Sequence, residues 1–370
     1  MSAVCSTVVV KKNRLTQNKI SKKTLPAKIM VKPGRNTCFT NRHYTLYLTQ
    51  KNWYNCILMN KVKGLRSKDL LGIKDLSLDE IQLILETTRS MKEVMSRPIP
   101  KVPALLGKHI VTLFYEPSTR TRTSFNTAAK VLSANVTNVA VSSSSVAKGE
   151  NLIDTVKNLE VMGLDCIIIR HSMGGAPHLA AKNCAASVIN AGDGYNEHPT
   201  QGLLDIFTMI EKKKTVKGRK VLIVGDIAHS RVARSNIWGL IKLGAEVVVI
   251  GPPTMIPSGI EEMGARVSYN FDQEIKDADF INMLRIQKER QEKGLFPSIE
   301  EYAKLYGLNS ERLKKAPKDV IVMHPGPINR GVEITSEVAD GPYNVILEQV
   351  TNGVAVRTAL LFLLLGGKTS

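Results

Sequence analysis

Between His109 and His324 the chain alternates short β-branched apolar runs with stretches of helical periodicity, and no other property of the sequence narrows the fold so far. The runs are His109–Tyr115, Val136–Val141, Cys166–Arg170, Ser187–Asn190, Lys220–Gly225, Glu246–Gly251, Arg266–Tyr269, Asp279–Leu284 and Val320–His324. Helical patterns lie between them, among them Asn151–Met162, Pro199–Lys213, Arg231–Leu243 and Ser298–Tyr306. Strands that are apolar along their whole length are buried on both faces, as in a parallel sheet covered by helices. Nine of them are too many for one ordinary sheet of this kind, so we expect an α/β fold of two doubly wound parallel-sheet domains. The basic stretch Glu211–Gly218 is the natural break between the sheets. The expected extents are residues 67–203 plus 343–370 for one domain and 204–342 for the other, with the last helix returning to the first domain.

Charge is distributed unevenly. The formal net charge is +18, which would suit a nucleic-acid or membrane binder. Yet 15 of the 51 basic residues precede Asp69, the first acidic residue, so residues 69–370 hold 36 basic against 33 acidic residues, a net of +3. The excess belongs to residues 1–66, a leader rich in Ser, Thr, Asn and Lys and devoid of acid, without the apolar core of a secretory signal. Such composition reads as an organelle transit peptide. The uncharged start MSAVCSTVVV and the excess of Lys over Arg favour a plastid, and the alternative is a disordered basic tail that binds RNA. For the body we expect neither nucleic-acid nor membrane association. The Leu360–Leu365 run is far short of the ~20 apolar residues a bilayer span needs. Cys166 and Cys184 form no CxxC pair and no His stands at metal-ligand spacing, so no metal site is expected in a reduced compartment.

Open parallel sheets bind ligands beyond the carboxyl ends of their strands. The segments there are Ser118–Thr121, Ser142–Lys148, Arg170-His171, Gly192–Gln201, Asp226–Arg231, Arg285–Gln287 and His324–Pro327. Polar and cationic groups recur at the strand ends. The first segment is a phosphate cradle on physical grounds. A helix starting near Ser118 presents unpaired N–H groups and partial positive charge, to which Ser118, Thr119 and Thr121 add hydroxyls and Arg120 a guanidinium fork. Arg120 and Arg122 are two residues apart and do not share a helix face, so at most one reaches a ligand directly. His198 sits in a Gly/Pro-punctuated turn with Gln201 at i+3. Gly225–Arg231 lacks the second and third glycines of a dinucleotide fingerprint, which argues against a nicotinamide cofactor. Arg231 and Arg285 suit a second ligand bearing carboxylates.

Assembled, these residues resemble the aspartate carbamoyltransferase family, and the leader resembles that of its plant plastid members. The resemblance runs from about Gly64 to the C-terminus through Ser118-Thr-Arg-Thr-Arg122, Lys148-Gly-Glu150, Arg170-His171, Asn190–Gly194, His198-Pro-Thr-Gln201, Arg285-Ile-Gln287 and His324-Pro-Gly-Pro327. It implies transfer of the carbamoyl group of carbamoyl phosphate to L-aspartate, the committed step of pyrimidine synthesis, with no cofactor. It implies that Ser118, Thr119, Arg120, Thr121 and Arg170 hold the phosphate. Thr121, Arg170 and His198 would face the carbonyl oxygen, making Arg120, Thr121, Arg170 and His198 the catalytic set. Gln201 and the backbone carbonyls of Pro325 and Gly326 would accept from the carbamoyl NH2. Arg231, Arg285 and Gln287 would hold the aspartate carboxylates. Ser144 and Lys148 match residues that relatives insert into a neighbouring subunit's site, Lys148 reaching both substrates, which implies a homotrimer with shared sites. Plant members are inhibited by UMP, whose phosphate would use Arg120, Thr121, Arg170 and His198.

The ornithine carbamoyltransferases share the phosphate half but carry an H-C-L-P segment and an S-M-G loop in the second domain. Here His324-Pro-Gly-Pro327 has no cysteine, and Ser172-Met-Gly174 falls in the first domain. Ornithine's cationic side chain would be repelled by Arg285. Some bacterial relatives have Leu where Gly326 stands. Two rival classes remain at this point: a basic nucleic-acid-binding protein, and a catalytically silent relative acting as a scaffold.

Overall fold

A computed structural model describes residues 37–41, 44–48, 64–140, 149–286 and 298–366. The chain divides into two compact units, Met1–Lys63 and Gly64–Ser370. In the first, β1 (Thr37–Asn41) pairs antiparallel with β2 (Tyr44–Leu48).

The second unit is the α/β body. In chain order its main elements are α1 (Leu78–Met95), β3 (His109–Phe114), α2 (Thr119–Val131), β4 (Asn135–Ala140), α3 (Leu152–Val161), β5 (Cys166–His171), α4 (Ala176–Lys182), β6 (Ser187–Asp193) and α5 (Pro199–Lys213). There follow β7 (Lys220–Val224), α6 (Arg231–Lys242), β8 (Glu246–Ile250), β9 (Arg266–Ser268), β10 (Phe280–Met283), α7 (Ile299–Tyr306), β11 (Ile321–Met323) and α8 (Ile346–Leu361). All nine expected strands are present, each within one residue of its expected ends except β6, which runs three residues past Asn190. They form two wholly parallel sheets, ordered β4-β3-β5-β6 and β11-β10-β7-β8-β9.

The burial pattern supplies the reason. Every residue of β7 and the first four residues of β5, Cys166 to Ile169, are buried, so these strands carry apolar side chains to both faces. Val111, Leu113, Ile167, Ile169 and Val188 build the first core, and Leu222, Val248, Ile281 and Val322 the second. The helices start where their caps dictate. Ser77 and Glu80 form a reciprocal capping box at α1, while Asn151 and Ser298 cap α3 and α7.

The link between sheets corrects one expectation. A boundary between residues 203 and 204 would fall inside α5, which runs unbroken to Lys213; the break lies at Lys214–Gly218, just before β7. Ten of the eleven positions from Pro199 to Met209, all but Gln201, are buried, so α5 belongs to a core rather than to a linker. It packs on α6, and close approach there needs Gly202, where a Cβ would come within 3.0 Å of Ser235 Cβ. α8 returns to pack against α1, α2 and α5. With its continuation to Gly366 this helix is 21 residues long and apolar enough to cross a bilayer, yet most of it is buried inside the body, so it is a core helix.

Candidate active site

The carboxyl ends of both sheets open into one cavity of about 730 Å³. The first sheet contributes Ser118, Thr119, Arg120, Thr121, Arg170, His198 and Gln201; the second contributes Arg231, Arg285, Pro325 and Gly326. These are all the expected site residues that lie among the described ones. Ser144, Lys148 and Gln287 lie outside the described residues. Arg122 is exposed and absent from the cavity lining, so one arginine of the pair faces the ligand space, as the helical spacing requires.

The cradle forms at the handover from β3 to α2. Ser118 occupies the N-cap with extended backbone (φ −160°), but its side chain makes no capping bond and α2 has no acid in its first turn. The positive end of the helix therefore meets the cavity through Ser118, Thr119, Arg120 and the largely buried Thr121. Arg120 is open to solvent through the mouth, yet the walls withdraw enough water to lower its pKa, and the charge of Arg285 lowers it further. The two guanidiniums thus sense each other across the cleft. Gly326 is close as well: a Cβ there would lie 3.0–3.1 Å from three Arg120 guanidinium atoms, and its backbone is left-handed at φ +65°. The rims of the two sheets meet at this point.

Glu116, which the sequence reading passed over, ties them together. Arg231 Nη2 donates to its Oε2 (2.6 Å), and Arg170 Nε lies 3.3 Å from the same oxygen. One carboxylate from the first sheet's β3–α2 turn thereby braces an arginine at the start of α6 in the second. Arg231 is buried, and its guanidinium crosses over Gly192, where a Cβ would lie 2.9 Å away. Among the described lining residues there are six arginines, with Arg330 and Arg357 joining the four expected, and no carboxylate. Such a cavity attracts anions and repels cations.

A buried polar layer holds the rest of the site. His198 takes the N-cap of α5 without a capping bond from its side chain, its N–H donating to Ser235 Oγ (2.9 Å), which donates to Glu197 Oε2 (2.8 Å). Glu197 also accepts from the N–H groups of Ile73 and Lys74, and burial raises its pKa. Gln201 Nε2 donates to Asp205 (2.9 Å), a fully buried carboxylate whose pKa burial pushes up to about 6. Arg357 of α8 donates to Ser124 Oγ (2.8 Å) and Thr200 Oγ1 (3.3 Å), and burial brings its pKa down to about 10. His171, adjacent to Arg170, turns away: its Nδ1 accepts from Met173 N–H (2.9 Å) and its ring packs on Tyr115. Among the described residues no His, Cys, Asp and Glu cluster is arranged to hold a metal.

Comparison with known proteins bears on this geometry. Residues 68–211 match the model of the aspartate/ornithine carbamoyltransferase carbamoyl-P binding domain, and residues 217–364 that of the Asp/Orn binding domain. The chain belongs to the aspartate carbamoyltransferase catalytic-subunit family. It is 61% identical over 303 residues to the aspartate carbamoyltransferase catalytic subunit of Moorella thermoacetica, covering 82% of this chain and 99% of that one. The corresponding subunit of Endomicrobium trichonymphae is 60% identical, with 81% and 96% covered. Among solved structures, aspartate transcarbamoylase from Trypanosoma cruzi in complex with N-(phosphonacetyl)-L-aspartic acid superposes with a TM-score of 0.74 at 27% identity, covering 80% and 96%. Ornithine carbamoyltransferase from Pyrococcus furiosus gives 0.73 at 32% identity, covering 81% and 98%. Members of both specificities share the two-domain fold, and this family member is a transferase.

Proposed function

We propose that this chain transfers the carbamoyl group of carbamoyl phosphate to L-aspartate, giving N-carbamoyl-L-aspartate and phosphate for pyrimidine synthesis. The observation that carries the reading is the meeting of a helix-end phosphate cradle with Arg231 and Arg285 from the facing sheet in one cavity whose described lining residues include no carboxylate. The amine of aspartate attacks the carbamoyl carbon, negative charge gathers on its oxygen opposite Thr121, Arg170 and His198, and the carbon–oxygen bond to phosphate then breaks. The amine proton leaves with the departing phosphate, so no side-chain base is needed. Preorganised donors at that oxygen are each worth about a hundredfold or more. Gln201 and the carbonyls of Pro325 and Gly326 accept from the carbamoyl NH2, while Arg231, Arg285 and Gln287 receive the aspartate carboxylates. A cavity whose charged residues, among those described, are all arginines disfavours ornithine.

Purified protein given carbamoyl phosphate should carbamoylate aspartate and not ornithine; the reverse preference would overturn the assignment. A truncation lacking residues 1–66 should keep this activity and show no salt-sensitive nucleic-acid binding, whereas binding that survived would favour the rival class. Shared sites in a homotrimer, with Ser144 and Lys148 supplied by a neighbour, predict that two inactive variants, Arg120→Ala and Lys148→Ala, regain activity when their subunits are mixed. The leader is read as a plastid transit peptide of a plant member of the family; fused to a fluorescent protein, residues 1–66 should direct it to plastids, and a cytosolic signal would sink that reading. UMP should inhibit competitively with carbamoyl phosphate by setting its phosphate among Arg120, Thr121, Arg170 and His198, and non-competitive inhibition would count against this.

A further inference from the structure

We infer that Asp205 is a positioning residue that fixes the polarity of the donor-substrate pocket, so that the site selects an amide end over a methyl end. The inference rests on the carbamoyl-transfer reading and extends it to a residue outside the cavity lining.

Asp205 lies one turn beyond Gln201 on α5 and is fully buried. Its carboxylate gathers three side-chain amides: Gln201 Nε2 (2.9 Å) and Gln349 Nε2 (2.8 Å) donate to Oδ1, and Asn236 Nδ2 (2.9 Å) donates to Oδ2. An ionised carboxylate only accepts, so each amide must turn its NH2 towards it and its carbonyl away. The consequence differs along the two arms of Oδ1. Gln201 lines the cavity, and its Oε1 becomes the end left for a ligand. Gln349 uses its Oε1 to accept the N–H of His324 (3.0 Å).

His324 carries the second arm to the pocket. Its Nδ1 accepts from Gly326 N–H (2.8 Å), so in the neutral ring the proton sits on Nε2, 3.2 Å from Glu333 Oε1. Glu333 in turn accepts from Asn329 N–H (2.6 Å). Both ends of the Pro325–Pro327 turn are thereby pinned, and the Pro325 and Gly326 carbonyls have one orientation. A single buried carboxylate thus sets the Gln201 oxygen directly and supports the carbonyl pair through Gln349 and His324. All of these are acceptors. A carbamoyl NH2 supplies two donors to match them; the methyl of acetyl phosphate supplies none and leaves them unpaired. The charge of Arg357, in the same buried layer, compensates that of Asp205.

The test is Asp205→Leu, which keeps roughly the volume but removes both acceptor oxygens, so that Gln201 and Gln349 lose the partner that holds their NH2 ends. The full-length wild type and variant are assayed with aspartate and carbamoyl phosphate, with acetyl phosphate as a competitor and inorganic phosphate binding as a control for the cradle. The variant is expected to lose roughly a hundredfold in kcat/KM for carbamoyl phosphate, while the inhibition constant of acetyl phosphate and the affinity for phosphate move less than about threefold. Gln349→Met, which cuts only the arm to His324, is expected to lose roughly tenfold with the same selectivity. Equal losses for carbamoyl and acetyl phosphate would reduce Asp205 to a structural residue and overturn the inference, as would an unchanged Asp205→Leu. If that variant does not fold, unaltered selectivity in Gln349→Met overturns it. A wild type unable to carbamoylate aspartate would instead sink the proposed function, irrespective of the variants.

Discussion

Arg120→Ala separates a functional arginine from a structural one, because the structure predicts opposite signs for activity and stability. Arg120 stands at the mouth of the cradle beside Gly326 and in the field of Arg285. Both influences on its charge, water withdrawal first and the like charge of Arg285 second, disfavour the guanidinium in the empty protein. Its removal should therefore cost no folding stability, and the melting temperature should stay within about 2 °C of wild type or rise, given a scale of ~2–4 °C per kcal/mol for domains of this size. Activity should respond in the other direction. Loss of one preorganised donor to a developing charge costs about 10²–10³ in turnover, and Arg120 offers a two-pronged fork to an anion, so kcat/KM for carbamoyl phosphate should fall about 10³-fold. That is roughly 4 kcal/mol at ~1.4 kcal/mol per decade.

Initial rates of carbamoyl-aspartate formation measure the first quantity, and thermal unfolding with and without inorganic phosphate the second. Wild type at a hundredfold excess of phosphate over its Kd should gain about 2.7 kcal/mol, and the variant clearly less. Arg120→Lys keeps the charge but not the fork and should fall between the two. A folded Arg120→Ala protein within tenfold of wild-type kcat/KM would refute the assignment of the cradle, and a melting temperature lowered by more than about 5 °C would show that the residue is part of the scaffold.

Glu116→Gln should lower stability by about 1–3 kcal/mol and kcat/KM for aspartate roughly tenfold, because two poorly solvated arginines on facing rims lose their shared anion; unchanged melting and kinetics would count against the brace. Arg357→Met should unfold at lower temperature only modestly, since a buried cation is replaced by an apolar chain, while Ser124 and Thr200 lose their donor and kcat falls more than KM changes. Glu274, whose carboxyl is held down to about 2 mainly by hydrogen bonds from Arg266, contributes stability that is complete above about pH 4.5 and is lost as pH falls through 2. Glu274→Gln should thus be less stable by about 1–2 kcal/mol at pH 7, discounted because Arg266 is half exposed, with the gap closing below pH 4 in urea titrations. Asp205 has the reverse sign: its pKa is raised to about 6 from an ordinary 3.8, so wild-type stability relative to Asp205→Asn should decline as pH rises from about 4 to 6.

What was legible in the sequence follows the range of the interactions. Strands such as Lys220–Val224 and Glu246–Ile250 announce themselves because burial of Val221–Val224 and Val247–Ile250 on both faces demands apolar, mostly β-branched side chains. The cradle is legible because Ser118, Thr119, Arg120 and Thr121 are contiguous and strand ends are where such sheets bind ligands. Glu116 escaped because its partner Arg231 is 115 positions away and a lone glutamate in a turn has no pattern of its own. Asp205 looked like one polar residue in a helix; only the fold brings Gln349 to it from 144 positions on, and Arg357 reaches Ser124 across 233. The domain boundary was misjudged for the same reason. The turn at Lys214–Gly218 is visible, but whether α5 belongs to one sheet or serves both depends on its packing against α6 and α8, which no local pattern records.

The buried polar layer beneath the cavity raises the question of why the fold retains it. A core built of Leu and Ile in place of Asp205, Asn236, Gln349 and Arg357 would avoid desolvating a carboxylate and a guanidinium, and replacement of buried ionic groups by apolar ones is often neutral or stabilising. Such a core would pack without preference for the direction of any amide above it. On the proposed function the cavity presents acceptors at Gln201, Pro325 and Gly326 and donors at Thr121, Arg170 and His198, all of which line it, and a turned amide would place an NH2 where that reading needs an oxygen. An acceptor-only carboxylate under Gln201 makes that turn unfavourable, and the hydrogen-bonded chain through Gln349 and His324 extends the same constraint to backbone carbonyls on the other sheet. Because α5 supplies both His198 and Asp205 and packs between the two sheets, donors and acceptors are set from one element, and their spacing survives small movements of the domains.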